Sequence, residues 1–170
     1  MNRSGFFLVI SFFLLLFLQV MLFKKIVLFN TAFCFIYVAL ILLLPIETNP
    51  LVLMLVAFGL GLTVDVFYDL QGMHAAATVA VAYVRNYWLA TITPQGGYDE
   101  GATPTLADNG FFWFISYSAP LIVLHHVILF FIDAGGFDLT WITLAKSLAS
   151  VFFTTIVVLL HQYVFFQRSR

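Results

Sequence analysis

Long apolar runs, interrupted at only a few places by charged residues, constrain this chain more than any other feature of its sequence. Of its 170 residues, 63% are hydrophobic and 9% are charged, whereas soluble domains carry about 25% charged residues. A membrane-spanning helix needs about 20 consecutive apolar residues, so the length allows five or six spans joined by short loops. The sequence therefore predicts an all-α integral membrane protein that forms one polytopic domain over residues 1–170.

The positions of the interruptions predict a bundle of six transmembrane helices. Lys24 and Lys25 end the first apolar run, and Pro45 ends the second because proline cannot continue a helix without losing a hydrogen bond. We expect spans at residues 5–23, 26–44, 51–68, 74–90, 111–132 and 139–166. The first run exceeds the roughly 7–15 residues of a signal-peptide core and no A-x-A pattern follows it, which predicts a retained span.

One long loop is expected, at residues 91–109, TITPQGGYDEGATPTLADN. It must leave the membrane, because unpaired backbone groups are not tolerated against lipid. It is either a solvated connector, which we favour, or a docking loop. The formal net charge is −1 and no basic run exists, so nucleic acid is not expected as a partner.

The basic residues give a small preference for one orientation. With the amino terminus inside and six spans, four basic residues fall inside and three fall outside. The inside set is Arg3, Arg85, Arg168 and Arg170, and the outside set is Lys24, Lys25 and Lys146. We therefore expect a multi-pass membrane protein with both termini on the inner side of the membrane.

Residues 59–88, GLGLTVDVFYDLQGMHAAATVAVAYVRNYW, hold an unusual concentration of polar groups. A charged side chain at the centre of a membrane helix costs roughly 2.5–3.5 kcal/mol on insertion scales. Asp65 and Asp69 are one helical turn apart and could bind a cation or share a proton. We favour the simpler interpretation that Asp69 stands in a solvated turn and that only Asp65 is partly buried.

The other polar residues of the spans are expected to have structural roles. Arg85 lies roughly 12 Å deeper than Asp65 along a helical hairpin, so the two should not touch. Arg85 and Trp88 are predicted to be interfacial anchors, with Arg85 reaching the lipid headgroups. His125 and His126 are adjacent in the fifth span, so we expect only one of them to face the bundle. No metal or cofactor site is predicted.

Five residues of the central hairpin carry a family resemblance. Gly61 and Asp65 lie near the end of one apolar helix, and Gly72, His74 and Ala75 open the alanine-rich helix that follows. This order resembles the central motif of the rod shape-determining protein MreD family. The upstream residues 19–23 and 37–45 are similar to the first helical pair of that family, and the length and the expected helix count also fit.

The resemblance implies a non-enzymatic membrane scaffold of the bacterial cell-elongation machinery, located in the bacterial inner (cytoplasmic) membrane with both termini cytoplasmic. Such a protein binds MreC, connects indirectly to MreB and the cell-wall synthase complex, and supports peptidoglycan synthesis and rod shape. The five matched residues would hold two helices together and shape the partner surface.

Two other classes of function are weighed against the scaffold. One is the substrate-binding membrane subunit of a vitamin-type, energy-coupling-factor transporter, whose fold is plausibly similar. The first span has no alanine for the A-x-x-x-A surface typical of those subunits. The other is an intramembrane enzyme that uses Asp65, Asp69 and the histidines, which is disfavoured because these groups are expected at scattered depths in the membrane. The motifs G-x-S-x-G and H-E-x-x-H and a glycine-rich phosphate loop are also absent from the sequence.

Overall fold

The computed structural model describes residues 3–137 and 140–165. Five long helices dominate it: α1 (Arg3–Met21), α3 (Pro50–Tyr68), α4 (Met73–Thr91), α6 (Phe111–Asp133) and α7 (Thr140–Phe165). Between α1 and α3 lie a single 3-10 turn (Phe23–Lys25), two antiparallel strands, β1 (Val27–Leu28) and β2 (Ala32–Phe33), and the five-residue helix α2 (Val38–Leu42). A four-residue helix, α5 (Leu106–Asn109), precedes α6.

The outer surface of the bundle is apolar, whereas many polar side chains are buried. Large hydrophobic side chains stand exposed on the long helices, among them Phe17 on α1, Val66 on α3 and Phe152 on α7. Within the described residues, three helices are long and apolar enough to cross a membrane: α3, α6 and α7. The fold is mostly helical and is compatible with the expected all-α membrane protein.

The prediction of six transmembrane helices is wrong for residues 26–44. In place of a second helical span, the structure has the β1–β2 hairpin, an extended stretch and the short helix α2. Helices occupy the other five predicted ranges, with ends shifted by one or two residues, and two positions of the last range, 139 and 166, lie outside the described residues.

Residues 26–45, named the crossing segment from here on, run from one end of the bundle to the other. They start at the turn end, which holds residues 69–72, because Lys24 donates to the carbonyl of Phe67 in α3. They finish at the loop end, which holds residues 92–105, because the next residue, Ile46, donates its N–H to the carbonyl of Ala102 at 3.0 Å. The chain thus passes through the bundle here without forming a long helix.

The interior position of the crossing segment explains why its sequence is misleading. Every residue from 34 to 43 is buried, and a short run buried on all sides reads as continuously apolar whether it is helical or extended. The hairpin that starts the segment turns at Phe29 and Asn30, whose φ values are +50° and +57°. Non-helical backbone is tolerated at membrane depth only where protein surrounds it, and here α1, α4, α6 and α7 do so.

Candidate functional site

Helices α3 and α4 approach so closely at Gly61 that no other residue fits there. A Cβ atom at residue 61 would lie 2.3 Å from the Cα of Ala75 and 2.5 Å from the Oγ1 of Thr78. The Thr78 hydroxyl donates across the contact to the carbonyl of Ala57 at 2.9 Å. Small residues that allow close backbone approach, together with a bond between helices, are typical of helix association in membranes.

Asp65 caps the amino terminus of α4 from the neighbouring helix. Its two carboxylate oxygens accept the backbone N–H groups of His74 and Ala75 at 3.0 and 2.9 Å, and its side chain is buried. The residue at the N-cap position, Gly72, has no side chain to do this. A carboxylate is stabilised at this place because the first N–H groups of a helix lack partners and carry positive partial charge.

The structure brings all five residues of the expected motif together in this one contact. Gly61 and Asp65 supply the α3 side, His74 and Ala75 supply the first turn of α4, and Gly72 forms the turn between them with φ of +87°. Asp69 ends α3 in a left-handed conformation and is exposed, as expected. Asp65 and Asp69 therefore do not form a shared carboxylate site.

Side chains from α1 and α7 satisfy the backbone of the crossing segment. Gln19 of α1 donates to the carbonyl of Cys34 at 3.1 Å and accepts the N–H of Tyr37 at 3.4 Å. Ser150 and Thr154 of α7 accept the N–H groups of Phe33 and Phe35 at 2.9 and 3.1 Å. Since a buried backbone group without a partner is costly, these polar residues make a non-helical passage possible.

The Tyr37 hydroxyl lies between two histidines at the centre of the bundle. Its oxygen is 2.8 Å from Nδ1 of His74 on α4 and 2.7 Å from Nε2 of His125 on α6. All three side chains are buried. A hydroxyl has one proton, so one imidazole must donate to the oxygen while the other accepts from it.

The expectation that only one of His125 and His126 faces the bundle is wrong. His126 is also fully buried, and its Nε2 lies 3.0 Å from the Thr154 hydroxyl while its Nδ1 lies 2.8 Å from the carbonyl of Ile122. Both rings are enclosed because the crossing segment covers one side of α6 and α7 covers the next. Among the described residues, no group of histidine, cysteine and acidic side chains could hold a metal ion.

The prediction that Arg85 is an interfacial anchor is also wrong. Arg85 is fully buried, and its Nε donates to the Tyr117 hydroxyl at 2.7 Å. Its Nη2 donates to the carbonyl of Leu44 and lies 3.5 Å from that of Leu42, at the end of α2. A guanidinium is favourable there because the last carbonyls of a helix lack partners and carry negative partial charge.

The burial of Arg85 changes the charge argument for orientation. A buried guanidinium does not report on which side of the membrane a loop lies. Without it, three basic residues remain on each side of the predicted topology. The distribution of basic residues therefore favours neither orientation.

Trp88 donates the hydrogen bond that Pro120 cannot donate. Pro120 lies inside α6 and has no N–H to donate to the carbonyl of Ser116 four residues earlier. The indole Nε1 of Trp88 donates to that carbonyl at 3.1 Å. Trp88 is half-buried, and it links α4 to α6 through this bond.

Residues 92–105 of the predicted loop form the loop end of the bundle, and hydrogen bonds hold part of this loop in place. Tyr98 donates to the carbonyl of Leu89 at 3.1 Å, and burial raises the pKa of its phenol. Two open cavities flank this tyrosine, of about 450 and 370 Å³. The acidic side chains Asp99 and Glu100 line the larger cavity.

Sequence reasoning missed the polar partners of the crossing segment, although one signal for them exists. Thr143, Ser147, Ser150 and Thr154 recur at intervals of four, three and four residues and are all buried. That spacing places them on one face of a helix. A polar stripe on an otherwise apolar span predicts a neighbour that needs hydrogen bonds.

Comparison with known proteins gives no match to this chain. No protein-family model matches the chain, and neither a curated protein nor a solved structure matches it.

Proposed function

We propose that this chain is a non-enzymatic membrane scaffold of the MreD type, which binds MreC and supports cell-wall synthesis during elongation of a rod-shaped bacterium. The proposal places it in the inner membrane, with indirect links to MreB and the cell-wall synthase complex. Its starting point is the resemblance of five residues of the α3–α4 hairpin to the central motif of that family.

One observation carries the proposal: the buried carboxylate of Asp65 and the buried guanidinium of Arg85 are held by backbone groups. Both oxygens of Asp65 accept N–H groups of α4, and the guanidinium of Arg85 lies against carbonyls of the crossing segment. Groups held in this way stabilise a fixed shape. A fixed shape is what a partner helix or domain requires of a scaffold, because docking onto a preformed surface costs less conformational entropy.

The five matched residues also act as a unit. The missing Cβ of Gly61 and the carboxylate of Asp65 both act on the first turn of α4, at Ala75 and at His74. They set the distance and the angle between α3 and α4. The outer faces of these helices carry exposed apolar side chains, so the hairpin would present a surface of defined geometry to a membrane-anchored partner.

The experiment is detergent co-purification of the tagged chain from a rod-shaped bacterial host, with mass spectrometry of its partners. The proposal predicts MreC in an amount comparable with the bait, and none with an unrelated tagged membrane protein of similar size. Recovery of an ATPase and a coupling subunit instead would support the transport alternative. Failure to recover MreC from a host that contains it would contradict the scaffold.

A second arm tests function in cells. Expression of the chain in a rod-shaped host depleted of its own MreD is expected to restore rod shape. The Gly61→Leu variant, which separates α3 from α4, should not restore it, whereas Gly59→Leu, on the open side of α3, has room for the added side chain. Equal restoration of rod shape by both variants would show that the close contact between α3 and α4 is not needed for function.

A further inference from the structure

With both neighbouring imidazoles neutral, every proton between Tyr37 and the two histidines has an acceptor. Two contacts join the hydroxyl oxygen to Nδ1 of His74 and Nε2 of His125. Two protons are needed for two contacts, one from the hydroxyl and one from an imidazole. With a third proton, the Tyr37 oxygen can accept from both imidazoles through its two lone pairs, but its own O–H is then left without an acceptor.

The surroundings of His125 select one of the two possible arrangements. Its other nitrogen, Nδ1, is buried and has no hydrogen-bond partner among the described residues. A buried lone pair without a partner is less costly than a buried N–H without one. His125 therefore carries its proton on Nε2 and donates to Tyr37, and the Tyr37 hydroxyl donates to Nδ1 of His74.

This arrangement makes His74 the group that responds to acid. Its free lone pair is on Nδ1, the atom that accepts from Tyr37, so a proton added to His74 goes to that atom and removes the acceptor. Among the described residues, Tyr37 Oη has no other partner. Its O–H regains an acceptor only if His125 moves its own proton to Nδ1, where a buried N–H has no partner. In either case one buried donor is unpaired, which weakens the attachment of the crossing segment between α4 and α6.

Titratable groups from α3 and α6 surround His74, and one of them, Asp65, carries the negative charge that would pair with a protonated imidazole. Asp65, from α3, is the negative group beside His74, since it accepts the N–H of that residue at 3.0 Å. From α6, His125 and His126 face the site, with ring centroids 5.2 Å apart. Tyr68, from α3, lies with its ring centroid 5.1 Å from that of His74. The side chains that α1 and α7 contribute directly, Gln19 and Thr154, do not titrate. Two lysines stand further out: Lys24 lies over the Tyr68 ring at 5.2 Å, and Lys146 pairs with Asp133 at 2.9 Å.

His74 lies next to the turn end in the sequence. His74 is in the first turn of α4, directly after the exposed turn at residues 69–72, and Tyr68 beside it is half-buried. Protonated His74 would gain the nearby Asp65 carboxylate as a compensating charge. We propose that Tyr37, His74 and His125 form a proton-controlled latch, which holds the crossing segment between α4 and α6 when the imidazoles are neutral and releases it when His74 is protonated from the turn end.

The test measures amide hydrogen exchange of the full chain in lipid nanodiscs at about pH 7.5 and about pH 5, the range in which imidazoles titrate. The reporters are the N–H groups of Phe35 and Tyr37, after correction for the intrinsic pH dependence of exchange. Protection of these amides should fall roughly tenfold or more in acid, because exchange follows the population of the open state. Amides in the middle of α6 serve as the internal reference and should not change.

Three variants make the outcome decisive. His74→Asn places a non-titrating acceptor near the position of Nδ1 and should abolish the acid effect. Tyr37→Phe lacks the bridging hydroxyl and should show low protection of residue 35 at both pH values. His126→Gln, at the other buried histidine on Thr154, should keep the acid effect. The proposal is overturned if protection in the wild type does not depend on pH, if His74→Asn responds as the wild type does, or if His126→Gln is the variant that loses the response.

Discussion

The contact between α3 and α4 makes a quantitative prediction, because the chain offers two glycines on one helix in opposite environments. At Gly61 an added Cβ would lie 2.3 Å from the Cα of Ala75, whereas at Gly59 it would meet nothing within 4 Å. Both glycines are in the interior of α3. The Gly61→Ala and Gly59→Ala variants therefore differ only in what the new methyl group touches.

The expected cost of Gly61→Ala follows from the distances. Carbon atoms in contact lie about 3.5–4.0 Å apart, so the two helices must separate by more than about 1 Å. Overpacking of this kind costs about 1–3 kcal/mol. The same displacement stretches the bonds from Asp65 to the N–H groups of His74 and Ala75, now 3.0 and 2.9 Å, and a lost cap costs about 1 kcal/mol. We expect a total loss of about 2–4 kcal/mol in the free energy of unfolding.

The assay is reversible unfolding of both variants in mixed micelles, followed by circular dichroism or tryptophan fluorescence. Gly59→Ala is expected to be neutral or to stabilise the protein by up to about 1 kcal/mol, since alanine is the better helix former. Equal stability of the two variants would refute the close approach of α3 and α4 and, with it, the role assigned to Asp65.

Three further substitutions test other contacts of the bundle by the same assay. Ala77→Leu should destabilise the protein by about 1–3 kcal/mol because Ala77 is fully buried, while Ala76→Leu, on the exposed face of α4, should be nearly silent. Similar losses of stability in the two variants would contradict the packing of α4. Trp88→Phe should cost about 1 kcal/mol in the wild type but less in a Pro120→Ala background, where α6 regains its own N–H donor. The same cost in both backgrounds would show that the bond from the indole to the Ser116 carbonyl does not contribute to stability. Arg85→Leu should cost about 3 kcal/mol or more because several buried carbonyls lose their donor, and a neutral result would contradict the cap on α2.

Which parts of the structure can be predicted from sequence depends on whether the signal is local. The helices α3, α4, α6 and α7 are long apolar runs bounded by prolines, glycines and acids, and each boundary signal lies within a few residues of the boundary it marks. The residues of the α3–α4 contact are also close in sequence, since the turn between the two helices is short. A hairpin of this kind can be inferred because its two sides must meet.

The crossing segment depends on residues far away in the chain. Phe35 bonds to Thr154, 119 residues later, and Leu42 bonds to Tyr117, 75 residues later. A window of sequence around residues 26–44 contains no trace of these partners, and its apolar composition fits a lipid-facing helix as well as a buried extended chain.

The buried position of Arg85 also depends on residues far away in the chain. Its expected position at the lipid headgroups followed from a default rule for arginines near the ends of spans. The carbonyls of Leu42, Leu44 and Pro45, which hold it in the interior, lie 40 to 43 residues earlier in the chain. No local rule for an arginine near the end of a span points to such distant partners.

The account rests most directly on the extended, buried course of the crossing segment. The decisive measurement is NMR of isotope-labelled protein in nanodiscs, recording the Cα and carbonyl chemical shifts of residues 32–37 and the exchange of the Phe35 N–H. The account predicts extended-backbone shifts together with slow exchange, because that N–H donates to the Thr154 hydroxyl at 3.1 Å inside the bundle. Helical shifts running without a break through residues 26–44 would contradict it and restore a second transmembrane helix.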